Sequence, residues 1–289
     1  MSASSIAERA RLLKLASLSL SEGMRSGGFR SCFRGQGMEF DAVRAYERGD
    51  DIRSIDWNVT ARSAHPYVKM FREERELTVF LIFDVSLSMD TNGGTVTKRA
   101  KALEAAALLA FAAGHNASPV GAVTFDRQLI SVYKPSTSRD QILSILVSLE
   151  HDRPSGPGSA LSGALAGAAR VLRTRSLVVV LSDFRTAGYE KSLALLARRH
   201  DVVAARVGSP ADSALPVAGL VPFRDPETGI EGLLPTGAAA FRESWEREHR
   251  EHLARWEQSC LRRGATPLLL STETDSLREL SAFFAGVRR

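Results

Sequence analysis

Two stretches of the chain are apolar and β-branched almost without interruption, Leu77–Phe83 and Leu177–Leu181, and each stops at an acidic or hydroxyl residue, Asp84 in the first case and Ser182-Asp183 in the second. Runs of this length and composition predict strands buried on both faces of a sheet. Between and after them the period changes. Helices are predicted over Lys98–His115, Arg139–Glu150, Ser159–Leu172, Gly188–Arg199, Ala238–Arg263 and Asp275–Phe284, with further strands at Val120–Phe125, Leu129–Tyr133, Asp201–Val207 and Pro267–Leu270. Strands alternating with helices at this spacing predict right-handed βαβ crossovers, and so an α/β fold with a doubly wound, mostly parallel sheet in a three-layer arrangement. The Pro- and Gly-rich residues 208–237 break the alternation and read as a loop or hairpin insertion.

Ahead of residue 77 the pattern differs. Leucines at 12, 13, 15, 18 and 20 make an imperfect helical stripe over Ala7–Ser21, and Gly27–Arg75 mixes Gly, Arg, Asp and aromatic residues with single apolar ones, as in a small irregular or β-rich lobe. The expected division is therefore 1–76 and 77–289. A length of 289 residues accommodates it, and 44% hydrophobic with 25% charged residues is a globular composition. The longest apolar stretch, Ala105–Ala113, is far short of the roughly 18–20 residues of a membrane span, and the N-terminus lacks a compact apolar core of the secretory type. Two distant cysteines, Cys32 and Cys260, make neither a disulfide framework nor a metal cluster, so a cytoplasmic protein is expected. The formal charge of +5 is scattered rather than clustered, and no zinc-finger or RNP-type motif occurs, which argues against nucleic acid as the partner.

Chemistry is expected where loops leave the carboxyl ends of parallel strands. Three such loops carry oxygen donors: Asp84-Val85-Ser86-Leu87-Ser88, Gly158-Ser159, and Ser182-Asp183. Carboxylates at the ends of buried strands cost desolvation energy unless they are satisfied, and a hard divalent cation does this with few protein groups. Mg²⁺ is the expected ion, with Mn²⁺ or Ca²⁺ as substitutes, because none of the three loops offers sulfur or imidazole. The same serines are also ordinary N-cap and turn residues, and the same aspartates ordinary acceptors of loop N–H groups.

At these residues the chain resembles a von Willebrand factor A (VWA) domain, whose metal-ion-dependent adhesion site runs D-x-S-x-S, then Thr, then Asp on successive loops. Asp84, Ser86 and Ser88 match the first element and Asp183 the last; Ser159 stands at the Thr position, and Ala160 where the family often has Asp. Upstream, Gly35-Gln-Gly37-Met-Glu39-Phe40, Arg44-Ala-Tyr46, Gly49-Asp50-Asp51-Ile-Arg53-Ser-Ile55-Asp56-Trp57 and Val68–Arg75 are similar to the signature of the bacterial family called domain of unknown function 58. The resemblance implies a metal site at Asp84, Ser86, Ser88, Ser159 and Asp183, a partner protein that supplies a Glu or Asp carboxylate, and association with a MoxR-type AAA+ ATPase in assembly or maturation of other proteins.

The expected function is thus a non-enzymatic protein-interaction module. Two alternatives stay open: a scaffold whose site is vestigial and metal-free, and a Mg²⁺-dependent phosphohydrolase with Asp84 as nucleophile. The second lacks its acid/base, because the position two residues beyond Asp84 is Ser86. No phosphate-binding G-x-x-x-x-G-K-[ST] occurs, and Glu248-His249-Arg250-Glu251-His252 reads as a solvated helix face rather than a metalloprotease motif. Gly49-Asp50-Asp51-x-Arg53 reads as a charge-paired turn, with Tyr46 and Trp57 as either packing residues or aromatic anchors for a partner.

Overall fold

The computed structural model describes residues 38–47, 50–63, 65–73, 77–91 and 94–286. The expected helix over Ala7–Ser21 lies outside them. The chain divides into two compact units, residues 33–76 and the remainder.

In the smaller unit, β1 (Met38–Ala45) pairs antiparallel with β2 (Tyr67–Glu73), with a register shift between Phe40 and Ala42. A 3₁₀ turn at Ile52–Ser54 and one helical turn, α1 (Trp57–Thr60), connect them. Asp56 caps α1 by accepting the N–H groups of Asn58 and Val59. Asp50 closes its own turn: one carboxylate oxygen accepts the Arg44 guanidinium at 2.6 Å and the other the Glu47 N–H at 2.9 Å.

The larger unit runs β3 (Val79–Asp84), α2 (Lys98–His115), β4 (Val120–Phe125), β5 (Leu129–Ser136), α3 (Arg139–His151), α4 (Leu161–Val171), β6 (Leu177–Ser182), α5 (Glu190–Ala197), β7 (Asp201–Gly208), α6 (Pro210–Ser213), β8 (Leu220–Arg224), β9 (Glu231–Pro235), α7 (Ala239–Arg262), β10 (Ala265–Ser271) and α8 (Ser276–Phe284). Six strands form one sheet in the order β10-β7-β6-β3-β4-β5, parallel except for β5. This is the doubly wound α/β class that the alternation of elements predicts. Every residue of β3, β4 and β6 is buried, which is why their sequences are continuous rather than alternating runs. Val79, Leu81 and Phe83 pack with residues of α2, α3 and α8, while Phe80 and Ile82 pack with residues of α4, α5 and α7. Each such side chain contributes about 1.5–3 kcal/mol by burial. Gly121 of β4 lies opposite Phe80, and a Cβ there would sit 2.8 Å from both the Phe80 ring and the Tyr133 carbonyl oxygen.

From β3 the chain winds outward through β4 and β5, and from β6 it winds the other way through β7 and β10. The winding reverses between β3 and β6, so the crevice at the carboxyl ends of these two neighbours is the natural ligand position of the fold.

Two features near that crevice differ from the sequence expectation or refine it. Helix α4 starts at Leu161 rather than Ser159. Residues 155–160 are instead tied to the end of β4, because Asp126 accepts the Ser155 N–H and hydroxyl through its carboxylate and the Ala160 N–H through its carbonyl. Ser159 therefore stays in a loop. Strands β8 and β9 pair antiparallel as a hairpin within residues 208–237. Asp225 fixes its tip by accepting the N–H groups of Glu227 and Thr228 through Oδ1, at 2.8 and 3.3 Å.

Candidate metal centre

Asp84 ends β3 and is 1% exposed. Its Oδ1 accepts the Ser86 N–H at 2.9 Å and its Oδ2 accepts the Ser182 hydroxyl at 2.6 Å. Burial, followed by the negative charge of Asp183, pushes its pKa up to about 7, against the opposing effect of the Ser182 and Ser86 hydrogen bonds. The carboxylate thus lacks a sufficient positive neighbour.

Above it lies a cavity of about 280 Å³ lined by Ser86, Ser88, Ser159, Asp183 and Glu227 among others. The structure therefore brings Ser86, Ser88, Ser159 and Asp183 to one pocket, with Asp84 directly beneath through its bond to Ser86. None of the three serines acts as a helix cap. The Ser86 and Ser88 hydroxyls lie 3.2 Å apart, Ser86 makes no capping bond to the 3₁₀ turn Leu87–Asp90, and the buried Ser159 Oγ has no hydrogen-bond partner. Asp183 is 3% exposed; its Oδ1 accepts the Arg185 N–H at 3.2 Å and its Oδ2 has no hydrogen bond. Phe184, the next residue, adopts φ 53°, a left-handed conformation uncommon for an aromatic residue, with its N–H bonded to Ser182 Oγ and its ring against Tyr189 and Trp256. Aromatic packing holds the tight turn that follows the aspartate.

Several residues of the site escape a reading of the sequence. Lys98, the first residue of α2, is 1% exposed, and its ammonium lies 3.5 Å from Asp183 Oδ2 and 3.0 Å from Asp212 Oδ1. Arg185 also bonds Asp212, at 2.7 Å. Burial opposes ionisation of Asp212, but Lys98, Arg185 and the Ser209 N–H hold its carboxyl below the usual range. Glu227, from the hairpin tip, accepts the Ser88 N–H on Oε1 and the Gly158 N–H on Oε2, both at 2.8 Å. Gly158 has φ +104°, which explains a glycine at this turn. Only the Asp-Pro-x-x-Gly turn signature around Glu227 hinted at a fixed loop; nothing local in sequence placed its tip at this pocket.

The donors fit a hard cation. The Asp183 carboxylate, with one oxygen free of hydrogen bonds, lines the cavity beside three serine hydroxyls, one of them wholly unpartnered, Asp84 is joined to this lining through the Ser86 N–H, and no sulfur or imidazole is in it. The set is rich in hydroxyls rather than acids: among the described residues no three His, Cys, Asp or Glu side chains group as a metal cluster. That also removes Glu248-His249-Arg250-Glu251-His252 of α7 as a metal motif. His252 is exposed and His249 half-buried on this helix, and for both, burial lowers the pKa first and Arg206 next.

Comparison with known proteins places the chain among relatives. The model of a family described as "Protein of unknown function DUF58" matches residues 42–255. The uncharacterized protein Rv1480 of Mycobacterium tuberculosis is 31% identical over 290 residues, covering 98% of this chain and 90% of that protein, and the Mycobacterium bovis protein Mb1516 matches equally. Among solved structures, BatB from Bacteroides thetaiotaomicron aligns with a TM-score of 0.45 at 15% identity, over 73% of this chain and 99% of that one. The SpRpn10 VWA domain aligns with a TM-score of 0.40 at 14% identity, over 74% and 99%.

Proposed function

The chain belongs to the DUF58 family, and from that premise we propose that it is a non-enzymatic protein-interaction module of the cytoplasm whose pocket holds Mg²⁺ and receives an acidic side chain from a partner protein. Asp84, Ser86, Ser88, Ser159 and Asp183 would hold the ion, and Mn²⁺ or Ca²⁺ would substitute. When bound, the ion supplies positive charge and an open position for a carboxylate. The observation that carries this reading is the pairing of an unpartnered buried hydroxyl, Ser159 Oγ, with Asp183 Oδ2, which lacks a hydrogen bond, at the wall of one cavity beside Asp84. A buried oxygen without a hydrogen bond is costly, and these two at one cavity favour a cation there, in competition with Lys98 and Arg185, which lie 3.5 and 3.8 Å from Asp183 Oδ2. The protein's own part is to exclude water and hold these oxygens: β3 and β6 present the aspartates, Asp126 pins the Ser159 loop, and Phe184 fixes the turn after Asp183. A MoxR-type AAA+ ATPase is the proposed partner, on the strength of the family resemblance. Burial pushes the thiol of Cys260 up to about 12 and so keeps it unreactive.

A hydrolase is disfavoured because the residue two beyond Asp84, where an acid/base would stand, is Ser86. A metal-free scaffold has two cations behind it, the Lys98 ammonium 3.5 Å and the Arg185 Nε 3.8 Å from Asp183 Oδ2. Thermal unfolding separates the readings. Millimolar Mg²⁺ is expected to raise the midpoint of the wild type over its value in EDTA, and the rise is lost in Asp84→Ala and reduced in Ser159→Ala. At a hundredfold excess over Kd the gain is about 2.7 kcal/mol. No rise with Mg²⁺, Mn²⁺ or Ca²⁺ would establish the scaffold instead.

A further inference from the structure

The same pocket contains a second recognition element, made of backbone N–H groups and occupied by Glu227. Ser88 N–H and Gly158 N–H come from separate loops, one after β3 and one before α4, yet both donate at 2.8 Å to the two oxygens of one carboxylate. Convergent backbone donors make a cradle for a carboxylate, and bonds to an ionised acceptor are stronger than neutral ones. The occupant is Glu227. Among the described residues no lysine or arginine forms an ion pair with it, so both its oxygens are committed to this cradle.

The element carrying Glu227 is anchored at its base, where Arg242 of α7 donates to the Thr236 and Gly237 carbonyl oxygens. Strands β8 and β9 pair only with each other, and Leu220, Phe223, Ile230 and Leu233 are exposed, at 65%, 37%, 66% and 64%. An isolated two-stranded hairpin is marginal in water, and such elements open at low cost. The tip is nevertheless shaped for its contact, since Asp225 Oδ1 holds the Glu227 N–H and Gly229 takes φ +70° in the turn. A rigid tip on a hairpin held at its base presents one carboxylate to two loop N–H groups of the pocket.

We infer that the Ser88–Gly158 cradle is a carboxylate-binding subsite, and that Glu227 fills it in cis as an internal competitor which an acidic side chain of a partner must displace. This rests on the reading of the pocket as a recognition site and adds its regulation: the hairpin sets a threshold affinity below which acidic groups do not enter. Apparent affinity scales with the fraction of molecules in the open form, so a tenfold preference for the closed form weakens carboxylate binding tenfold.

The test is a titration of the full chain with sodium acetate, against sodium chloride at equal ionic strength, read at the Ser88 and Gly158 amide resonances. In Glu227→Gln both amides are expected to shift from their wild-type positions, and acetate is expected to move them back with an apparent affinity at least about tenfold higher than in the wild type. Glu227→Asp, one methylene shorter, is expected to fall between. A single cooperative unfolding transition verifies that the variants fold. Equal acetate response in wild type and Glu227→Gln, or no response in either, overturns the inference. Magnesium titration of the same samples in EDTA-treated, acetate-free buffer keeps the two proposals apart: acetate competition without a magnesium response refutes the metal and leaves the cradle, and the reverse refutes the cradle and leaves the metal.

Discussion

Ionising Asp84 in the folded protein costs energy because burial and Asp183 both oppose its charge, and the folded-state pKa of about 7 lies well above the ordinary 3.8. Between those two values the folded state binds the proton that the unfolded state has released. The contribution of Asp84 is therefore fully present below about pH 4 and is lost as pH rises through about 7. In EDTA the wild type is expected to lose stability over this window relative to Asp84→Asn, which urea denaturation at a series of pH values measures; parallel profiles for the two proteins would contradict it. Ser159 offers a test of opposite sign. Its hydroxyl is buried without a partner, so Ser159→Ala is expected to raise stability in EDTA by about 1 kcal/mol by removing an unsatisfied polar group. In Mg²⁺ the same change is expected to lower the midpoint relative to wild type, and a variant stabilised equally in both buffers would deny Ser159 a role as ligand. That the five proposed ligands share one region was legible in sequence because each lies in a short motif at the end of β3 or β6 or just ahead of α4. The part of Lys98, Asp212 and Glu227 was not, because each enters through a tertiary contact with no local pattern: Lys98 opens a helix 14 residues after Asp84, and its aspartate partner Asp212 is 114 residues away from it.

Strand existence was the most legible element-level feature, since only a strand buried on both faces needs runs such as Val79–Phe83 and Leu177–Leu181. The order β10-β7-β6-β3-β4-β5 was not legible, because right-handed crossovers fix handedness but leave open on which side of β3 each strand adds. The start of α4 was misplaced for a different reason. Ser159 and Ala160 are compatible with a first helical turn, but the Asp126 bonds to Ser155 and Ala160 hold that segment as a loop, a competition no local propensity records. Strand β4 shows how packing at this scale bears on the site. Gly121 lets Phe80 and the Tyr133 carbonyl close over it, so Gly121→Ala is expected to cost about 1–3 kcal/mol by overpacking. Because Phe80 lies on β3, four residues before Asp84, the displaced strand is also expected to blunt the magnesium-dependent rise in midpoint. Calorimetry of the variant with and without Mg²⁺ reads both effects, and an unchanged midpoint would show that β4 yields without strain.

The larger unit is polar in its construction: every proposed ligand lies at the carboxyl end of the sheet. Arg175 and Asp201 lie at the opposite end, where the guanidinium holds the carboxylate through two bonds of 2.7 and 2.8 Å just before β6 and at the start of β7. Arg175 is more than half exposed, so solvent screens the pair, and Arg175→Ala is expected to cost about 0.2–1 kcal/mol. Sites at opposite ends of a sheet share no partners, and their effects on stability add. The double variant Arg175→Ala/Ser159→Ala is thus expected to show the Arg175 loss in both buffers and the Ser159 sign reversal superimposed on it, while Arg175→Ala alone keeps the full magnesium increment. Unfolding midpoints of the four proteins in EDTA and in Mg²⁺ complete the cycle. A magnesium increment that shrinks in Arg175→Ala would mean that the two ends of β6 are mechanically coupled, and that the metal reads the stability of the whole sheet rather than the geometry of the crevice between β3 and β6.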